Sequence, residues 1–513
     1  AAVTQAAALA ERAIGHGDNA ITAQDVTNPG NDREKYGDPN ETMKALTWEG
    51  KNTVKVIECP KPKLIEPRDV ILKITGSTVC GSDLHLLHGS VVELEKGDIL
   101  GHEFCGIIDQ VGSEVKNHKV GDRVVASFQI ACGDVSQSCF LLWNHTILTL
   151  LHMHVLQEEA VVPVREDKSN TIENAMYGGR TAGMFGYSHF TGGFAGGQAE
   201  YTRVPCGDVN LLHLPDDVPD EKGLYLSDVV STSWNCVVDT GVKEGDVVAI
   251  WGAGPIGQMC IDFSFMNGAK RVIVIDQNWR LDYCKSKYPN IETIDFSNLP
   301  KGETVVSTLK KMEHGGPDVA LECVAGEYPK SWAHTIELMA GLETDTPEII
   351  NEMIESVKNY GRCGITGVYV GYEVTLILVN INVRLTLPQT NHFNIGSLME
   401  RGIRLIGNGQ APVHLYWEKL LKMIQEGKID PLKMVTHRVR MEDLDKVYYK
   451  FDKKEDGMQK VYVETKFSQP ACAGSPALTN TKNPEAVWNY AHYLDEVDDD
   501  HGYIFCWHVL EMK

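Results

Sequence analysis

The feature that most constrains the fold of this chain is a set of three glycines between an apolar strand and a helix. Val247–Trp251 reads VVAIW, and the pattern Gly252-x-Gly254-x-x-Gly257 follows at once. A second apolar segment, Arg271–Asp276, reads RVIVID and ends in a carboxylate. Strand, glycine turn, helix and strand in this order predict an α/β fold with a parallel sheet covered by helices on both faces.

The spacing of the glycines is that of a dinucleotide-binding turn. Gly252 permits a tight turn, Gly254 lets the backbone approach a pyrophosphate, and Gly257 lets helix and strand pack closely. Pro255 and Ile256 complete the turn at the start of the helix, whose N-terminus supplies hydrogen-bond donors to phosphates. We therefore predict that these five residues bind the cofactor.

The end of the second strand bears on which dinucleotide is bound. Asp276 could accept both ribose hydroxyls of NAD and repel a 2′-phosphate, so the sequence favours NAD over NADP. We expect Arg280 near the adenosine, with an exposed helix arginine as an equal alternative. Val324 follows a later strand and is expected at the nicotinamide edge, or else serves in packing. For the whole motif, the alternative is an ordinary turn in which Asp276 caps a helix.

Composition excludes several classes of protein. A chain of 513 residues exceeds one compact core, so two or more domains are expected. The net charge of −22 argues against nucleic-acid or anionic-membrane partners. Thirteen cysteines are too dilute for a disulfide scaffold and fit a reducing compartment. Because neither a secretory signal nor a spanning segment is evident, we expect a cytoplasmic protein.

Two segments before the glycine turn carry side chains that suit a metal. VCGSDLH contains Cys80, and GHEFCG contains His102 followed by Glu103. A thiolate and an imidazole from separate loops are good zinc ligands, and a catalytic zinc needs only three protein ligands. Glu103 could orient the site, visit the metal or form a buried ion pair. From these residues alone, the alternative is that Cys80 and His102 are structural bystanders that bind no metal.

A family resemblance rests on these motifs. GHEFCGIIDQVGSEV resembles the zinc signature of the medium-chain zinc-dependent alcohol dehydrogenases, over roughly 43–467 of the chain. This implies a split, β-rich GroES-like catalytic domain around a central Rossmann dinucleotide-binding domain. LSD, GGRTAGMFGY and GGQAEYTRVP are similar to the glutathione-independent formaldehyde dehydrogenase branch, which uses an aspartate as third zinc ligand. That ligand maps to Asp228, for which a helix cap is the alternative.

The resemblance also implies a chemistry. Zinc on Cys80, His102 and Asp228 would polarise the oxygen of a small-molecule alcohol or hydrated aldehyde, such as formaldehyde, and NAD would accept the hydride. Ser82 matches the relay hydroxyl of the family and His85 its terminal imidazole. The alternatives are a local turn hydrogen bond for Ser82 and an uninvolved surface position for His85.

Other readings of the whole chain stay open. A polyol or threonine dehydrogenase of the same family is one, and a nucleotide-binding protein inactivated by its insertions is another. The family further implies a homo-oligomer, either a dimer or a tetramer.

The resemblance divides the chain into five parts. They are a flexible N-terminal arm (1–42), the first part of the catalytic domain (43–223), the Rossmann domain (224–403), the return segment (404–468) and an unmatched tail (469–513). Atypical apolar insertions at 137–165 and 373–389 interrupt them, and we hypothesise that they are translated non-coding sequence. The first replaces a structural zinc lobe, of which Cys132 and Cys139 remain, so a second zinc is expected to be absent. The alternative is a zinc site formed by these two cysteines with His152 and His154.

Overall fold

The computed structural model describes 37–91, 94–131, 183–324, 347–367, 393–409 and 411–479, with the backbone of six further short strands. The arm before residue 37 and the tail after residue 479 lie outside the described residues. The insertion at 137–165, apart from its last residue, also lies outside the described residues. The same holds for the segment on which the predicted absence of a structural zinc depends.

Twenty-three strands occur among the described residues. They are β1 (Gly37–Gly50), β2 (Thr53–Pro62), β3 (Val70–Ser77), β4 (Phe104–Val111), β5 (Arg123–Ala126), β6 (Gln129–Ile130), β7 (Arg165–Glu166), β8 (Asn170–Thr171), β9 (Glu173–Asn174), β10 (Gly179–Arg180), β11 (Gly183–Met184), β12 (Tyr201–Val204), β13 (Leu211–His213), β14 (Val247–Trp251), β15 (Arg271–Asp276), β16 (Glu292–Asp295), β17 (Val319–Glu322), β18 (Arg362–Ile365), β19 (Tyr372–Leu378), β20 (Ile381–Leu387), β21 (Arg404–Gly407), β22 (His437–Arg440) and β23 (Val461–Glu464).

The α-helices of the described residues are mostly short. They are α1 (Ser82–Leu87), α2 (Gly207–Asn210), α3 (Asp220–Gly223), α4 (Val229–Asp239), α5 (Pro255–Met266), α6 (Trp279–Lys287), α7 (Val305–Met312), α8 (Glu348–Ser356), α9 (Ile395–Glu400), α10 (Val413–Gln425) and α11 (Leu444–Asp452). None of these helices has the length and apolarity that a bilayer crossing requires.

A six-stranded parallel sheet forms the nucleotide-binding half. Its order is β16-β15-β14-β17-β18-β21, which is the doubly wound order 3-2-1-4-5-6. All five residues of β14 are buried, as expected for a strand covered on both faces. The order reverses between β14 and β17, and the glycine turn follows β14 at this switch point, where ligands bind in such sheets.

A seven-stranded mixed sheet forms the β-rich half. Its path is β13-β5-β4-β3-β23-β22, and β12 also pairs with β3. Strands β22 and β23 come from the return segment, and β23 joins β3 through the antiparallel pair Val463↔Ser77. The β-rich domain is therefore assembled from both sides of the parallel sheet in sequence, as the predicted split architecture requires.

Three predicted boundaries need correction. Residues 37–42 belong to β1 and not to a flexible arm, because a register shift between Gly37 and Thr42 lets their polar side chains face solvent. Strand β21 extends the parallel sheet beyond the predicted Rossmann boundary at residue 403. The tail does not separate from the body at residue 469, since the backbone N–H of Thr479 donates to the carbonyl of Arg438 over 2.7 Å.

The second atypical insertion has regular backbone structure. Strands β19 and β20 pair antiparallel from Tyr372↔Leu387 to Leu378↔Ile381, which covers most of the predicted insertion at 373–389. Among the described strands they pair only with each other. The insertion therefore forms a separate hairpin between β18 and β21 of the parallel sheet.

Candidate metal and dinucleotide site

The glycine turn has a geometry that only glycine satisfies at two positions. Gly252 has φ of +103°, and a Cβ there would lie 2.8 Å from the carbonyl oxygen of Cys323. A Cβ on Gly257 would collide with the carbonyl oxygen of Gly252. At Gly254, by contrast, a Cβ would meet no described atom within 4 Å, so this side of the turn is open to a ligand.

Helix α5 starts within this turn. Gly254 precedes it, Pro255 is its first residue, and both Pro255 and Ile256 are partly exposed. The hydroxyl of Ser233 in helix α4 donates to the carbonyl of Ile256 over 3.1 Å. Because α4 begins just after Asp228, this one helix connects the predicted metal ligand with the predicted cofactor turn.

Asp276 fixes the turn from the end of β15. Its Oδ2 accepts from the backbone N–H of Ala253 over 2.7 Å, and its Oδ1 accepts from that of Gln277 over 2.7 Å. Helix α6 begins later, after Asn278, so the alternative of Asp276 as a helix cap is wrong. Nη1 of Arg280 lies 3.6 Å from Asp276 Oδ2, which places this arginine beside the carboxylate.

Val324 borders the turn on its other side. Its Cγ2 would lie 2.8 Å from a Cβ on Gly252, and its backbone N–H donates to Oε1 of Glu322 over 2.6 Å. The residue therefore lies at the carboxyl end of β17, next to the strand that carries the glycine turn.

Four predicted residues bring their donor atoms together. One ligand atom from each of Cys80, His102, Glu103 and Asp228 lies within 4.8 Å of every other. His102 Nε2 is 3.5 Å from Asp228 Oδ2 and 3.9 Å from Glu103 Oε1. Cys80 follows β3, the His102–Glu103 pair precedes β4, and Asp228 precedes α4, so separate elements converge here.

Asp83 orients two of these ligands and is a residue that sequence reasoning missed. Its Oδ2 accepts from the backbone N–H of Cys80 over 2.9 Å, and its Oδ1 lies 3.1 Å from Nδ1 of His102. Carboxylates that hold the far nitrogen of a ligand histidine commonly fix its tautomer and orientation. Asp83 lies inside the segment VCGSDLH, where the spacing of residues gives no reason to assign a role to it rather than to its neighbours.

The electrostatics of the cluster favour a cation. Burial opposes protonation of His102, but the charge of Asp83 and contacts with Asp228 and Cys80 raise its pKa well above the usual range. Burial also acts on Asp228, yet His102 and the Thr232 hydroxyl keep its pKa below the ordinary value. Sulfur, nitrogen and oxygen donors in a negative potential fit zinc.

Glu103 forms a buried ion pair. Nζ of Lys460 donates to its Oε1 over 2.5 Å, and both side chains are at most 1% exposed. Burial raises the pKa of Glu103 even though Lys460 opposes the shift, whereas Glu103 and Cys80 raise the pKa of Lys460 against its burial. Sequence reasoning missed Lys460, which lies 357 residues from its partner in a segment without a motif.

The predicted relay residues lie on α1. Ser82 Oγ is 3.4 Å from His102 Nε2, so its hydroxyl faces the donor cluster. His85 is 3% exposed, which makes the surface-histidine alternative wrong. Asp228 stands directly before α4 but makes no side-chain bond to the first-turn backbone, and accepts instead from the hydroxyl of Thr232. Asp228 is therefore the N-cap residue of α4 by position, but its side chain does not cap the first turn.

Comparison with known proteins identifies the family. The alcohol dehydrogenase GroES-like domain family matches residues 66–216. The zinc-type alcohol dehydrogenase-like protein of Schizosaccharomyces pombe is 36% identical over 439 residues, covering 85% of this chain and 94% of that protein. The chain belongs to the zinc-type alcohol dehydrogenase family. It is an oxidoreductase of the alcohol dehydrogenase class, as the sequence predicted.

Two further relatives refine this assignment. The glutathione-independent formaldehyde dehydrogenase of Bacillus subtilis is 30% identical over 441 residues, covering 80% of this alcohol dehydrogenase and 94% of the relative. The alcohol dehydrogenase TADH from Thermus sp. ATN1 has a TM-score of 0.61 at 27% identity, covering 83% of this chain and 100% of that one. The predicted family resemblance and two-part fold are confirmed.

Proposed function

We propose that this zinc-type alcohol dehydrogenase transfers a hydride between NAD and a small alcohol or hydrated aldehyde, with formaldehyde as the leading substrate. The observation that carries the proposal is the convergence of Cys80, His102 and Asp228, linked by α4 to the open side of the glycine turn. The relatedness to a formaldehyde dehydrogenase of Bacillus subtilis supports the choice of substrate.

Cys80, His102 and Asp228 would hold the zinc, and Glu103 would lie beside them in its ion pair with Lys460. Zinc acts in such sites as a Lewis acid on the substrate oxygen, and NAD accepts the hydride. Asp83 keeps the ring of His102 turned toward the site. In the ion pair of Glu103 and Lys460, the ammonium group balances the charge of the carboxylate that lies next to His102.

Ser82 is the proposed first acceptor of the substrate proton. Its hydroxyl faces the donor cluster, and His85 lies three residues later on the same face of α1. The Ser82 Oγ would take the proton from the substrate hydroxyl and pass it to the imidazole of His85, since imidazole is the side-chain group that most often carries protons in catalysis.

Aromatic rings around His102 support a small substrate. Phe128 and Tyr187 meet its ring edge to face, with centroid distances of 6.4 and 6.1 Å. Both side chains are buried, so they place apolar surface beside the donor atoms. We propose that this surface favours a small substrate and limits the access of water to the reacting atoms.

A substrate panel tests the proposal. The zinc-loaded enzyme is mixed with NAD and either formaldehyde, methanol, ethanol, a polyol or threonine, and NADH formation is followed by absorbance. We expect the highest kcat/KM with formaldehyde or a short alcohol. Turnover of the polyol or threonine alone would favour the related dehydrogenases, and NAD binding without any turnover would favour an inactive nucleotide-binding protein.

Asp276 provides a test of cofactor choice. We expect Asp276→Ala to raise the KM for NAD by about tenfold to a hundredfold, because a charge-assisted hydrogen bond contributes about 1.5–3 kcal/mol. Asp276→Asn is the matched control, since it keeps an acceptor for the Ala253 N–H and should fall between wild type and Asp276→Ala. An unchanged KM for NAD, measured by initial rates with NAD and NADP, would contradict the role of Asp276.

We further propose a reducing compartment, the cytoplasm, and a homo-oligomer. All ten cysteines among the described residues are free thiols, which supports the first proposal. Strand β21 forms the outer edge of the parallel sheet, where a second copy could pair, which supports the second. Light scattering of the purified enzyme measures the oligomeric state.

A further inference from the structure

Three cysteines outside the zinc site converge beneath the dinucleotide turn. Cys236 lies in α4, Cys260 in α5 and Cys323 directly after β17. Their sulfur atoms all lie within 4.8 Å of one another, and those of Cys260 and Cys323 are 3.9 Å apart. We call these three residues the thiol triad.

The spacing of the triad is within reach of threefold coordination. An ion bonded to three sulfurs at about 2.3 Å holds them about 4.0 Å apart in a planar arrangement and about 3.5 Å apart in a pyramidal one. The sulfur atoms of Cys260 and Cys323 are 3.9 Å apart, so a pyramidal ion requires these side chains to approach each other by less than about 0.5 Å. The donor set contains sulfur only, which selects soft ions, whereas the zinc site mixes sulfur, nitrogen and oxygen. The two sites therefore suit different ions.

Thr366 lies beside the triad. Its hydroxyl is buried and hydrogen-bonds to the Cys236 thiol, which helps to lower the pKa of that thiol. Buried cysteines often serve simply as small apolar side chains. Three sulfurs that converge, with a hydroxyl that favours the thiolate of one of them, instead form a donor set that suits a thiophilic ion.

The charge around the triad restricts the ion further. The main electrostatic influences on its three thiols are one another, Ser233, Thr366 and Asp239, and none of these is a cation. Cys236 and Cys260 are fully buried, so an anionic complex would lie uncompensated in a low-dielectric interior. Three thiolates around a trivalent ion form a neutral complex, whereas those around a monovalent or divalent ion do not.

We propose that the thiol triad is a binding site for a trivalent thiophilic ion, with arsenic(III) as the matching chemistry. Arsenous acid, As(OH)₃, exchanges its three As–O bonds for three As–S bonds to Cys236, Cys260 and Cys323. The three thiol protons leave with the three hydroxides as water, and the oxidation state of arsenic does not change. The partly exposed Cys323 provides the point of entry.

The test uses the full chain loaded with zinc and incubated with arsenous acid. After desalting, we expect one arsenic per chain by mass spectrometry, three sulfur neighbours by X-ray absorption, and unchanged zinc. Cys260→Ala and Cys323→Ala should each lose the tightly bound arsenic, while Cys363→Ala, a buried thiol on β18, should retain it. Because Cys323 lies at the edge of the triad, its variant serves if Cys260→Ala does not fold.

Several results would overturn the proposal. Arsenic retained by both triad variants would place it on other thiols, and arsenic that displaces zinc would place it at Cys80. Absence of retained arsenic in the wild-type chain would exclude the site. Tighter retention of copper(I) or cadmium(II) than of arsenic would contradict the argument from charge. None of these measurements depends on turnover, so they stand apart from the proposed dehydrogenase activity.

Discussion

Replacement of Cys80 by alanine is expected to remove the zinc and to lower kcat/KM by about 10³-fold or more. A Lewis-acid metal contributes several kcal/mol of transition-state stabilisation, and each 1.36 kcal/mol corresponds to a factor of ten. With Cys80 gone, the site loses its thiolate and keeps only imidazole and carboxylate donors. Zinc content after dialysis and NADH formation with formaldehyde measure the two effects.

Cys284→Ala is the matched control for this experiment. Cys284 is a buried thiol in α6, and burial raises its pKa to about 12, so it stays protonated and is a poor ligand. This variant should keep both zinc and turnover, while both variants should still bind the nicotinamide cofactor, which the fluorescence of added NADH reports. Full zinc and turnover in Cys80→Ala would show that the metal lies elsewhere.

Local chemistry explains which parts of the site could be predicted from sequence. Gly252 and Gly257 occupy positions where a Cβ would collide, so the chain has no other residue to offer there. His102 and Glu103 are adjacent in one short segment. A motif of this kind is readable because its members constrain one another over a few residues.

The contacts that could not be predicted join distant segments. Lys460 reaches Glu103 because the return segment supplies β23 to the sheet that also contains β4. Tyr448 donates to Oε1 of Gln198 over 2.8 Å, and Nε2 of Gln198 lies 3.3 Å from Oδ2 of Asp83. Each of these contacts depends on sheet order and register, which no single segment encodes.

The boundaries of the domains failed for a related reason. Strand β21 reads RLIG, too short and too exposed to be recognised as part of a parallel sheet, yet it pairs with β18 along four residues. The thiol triad was missed because α4, α5 and β17 each contribute one cysteine. A feature that three elements share becomes visible only when the order of those elements is known.

The pair of Glu103 and Lys460 leads to the largest expected effect on stability. Replacement Lys460→Met leaves a buried carboxylate without its cation, and breaking a buried pair in this way costs about 3–5 kcal/mol. The first measurement is the free energy of unfolding from urea denaturation at neutral pH. We expect the double variant Glu103→Gln with Lys460→Met to recover most of the loss, because no uncompensated charge is then buried.

An exposed ion pair supplies the control. Nζ of Lys44 lies 3.1 Å from Oε1 of Glu442, with both side chains more than 40% exposed, so Lys44→Met should cost at most about 1 kcal/mol. A Lys460→Met chain as stable as the Lys44→Met chain would mean that Glu103 is neutral in the folded protein.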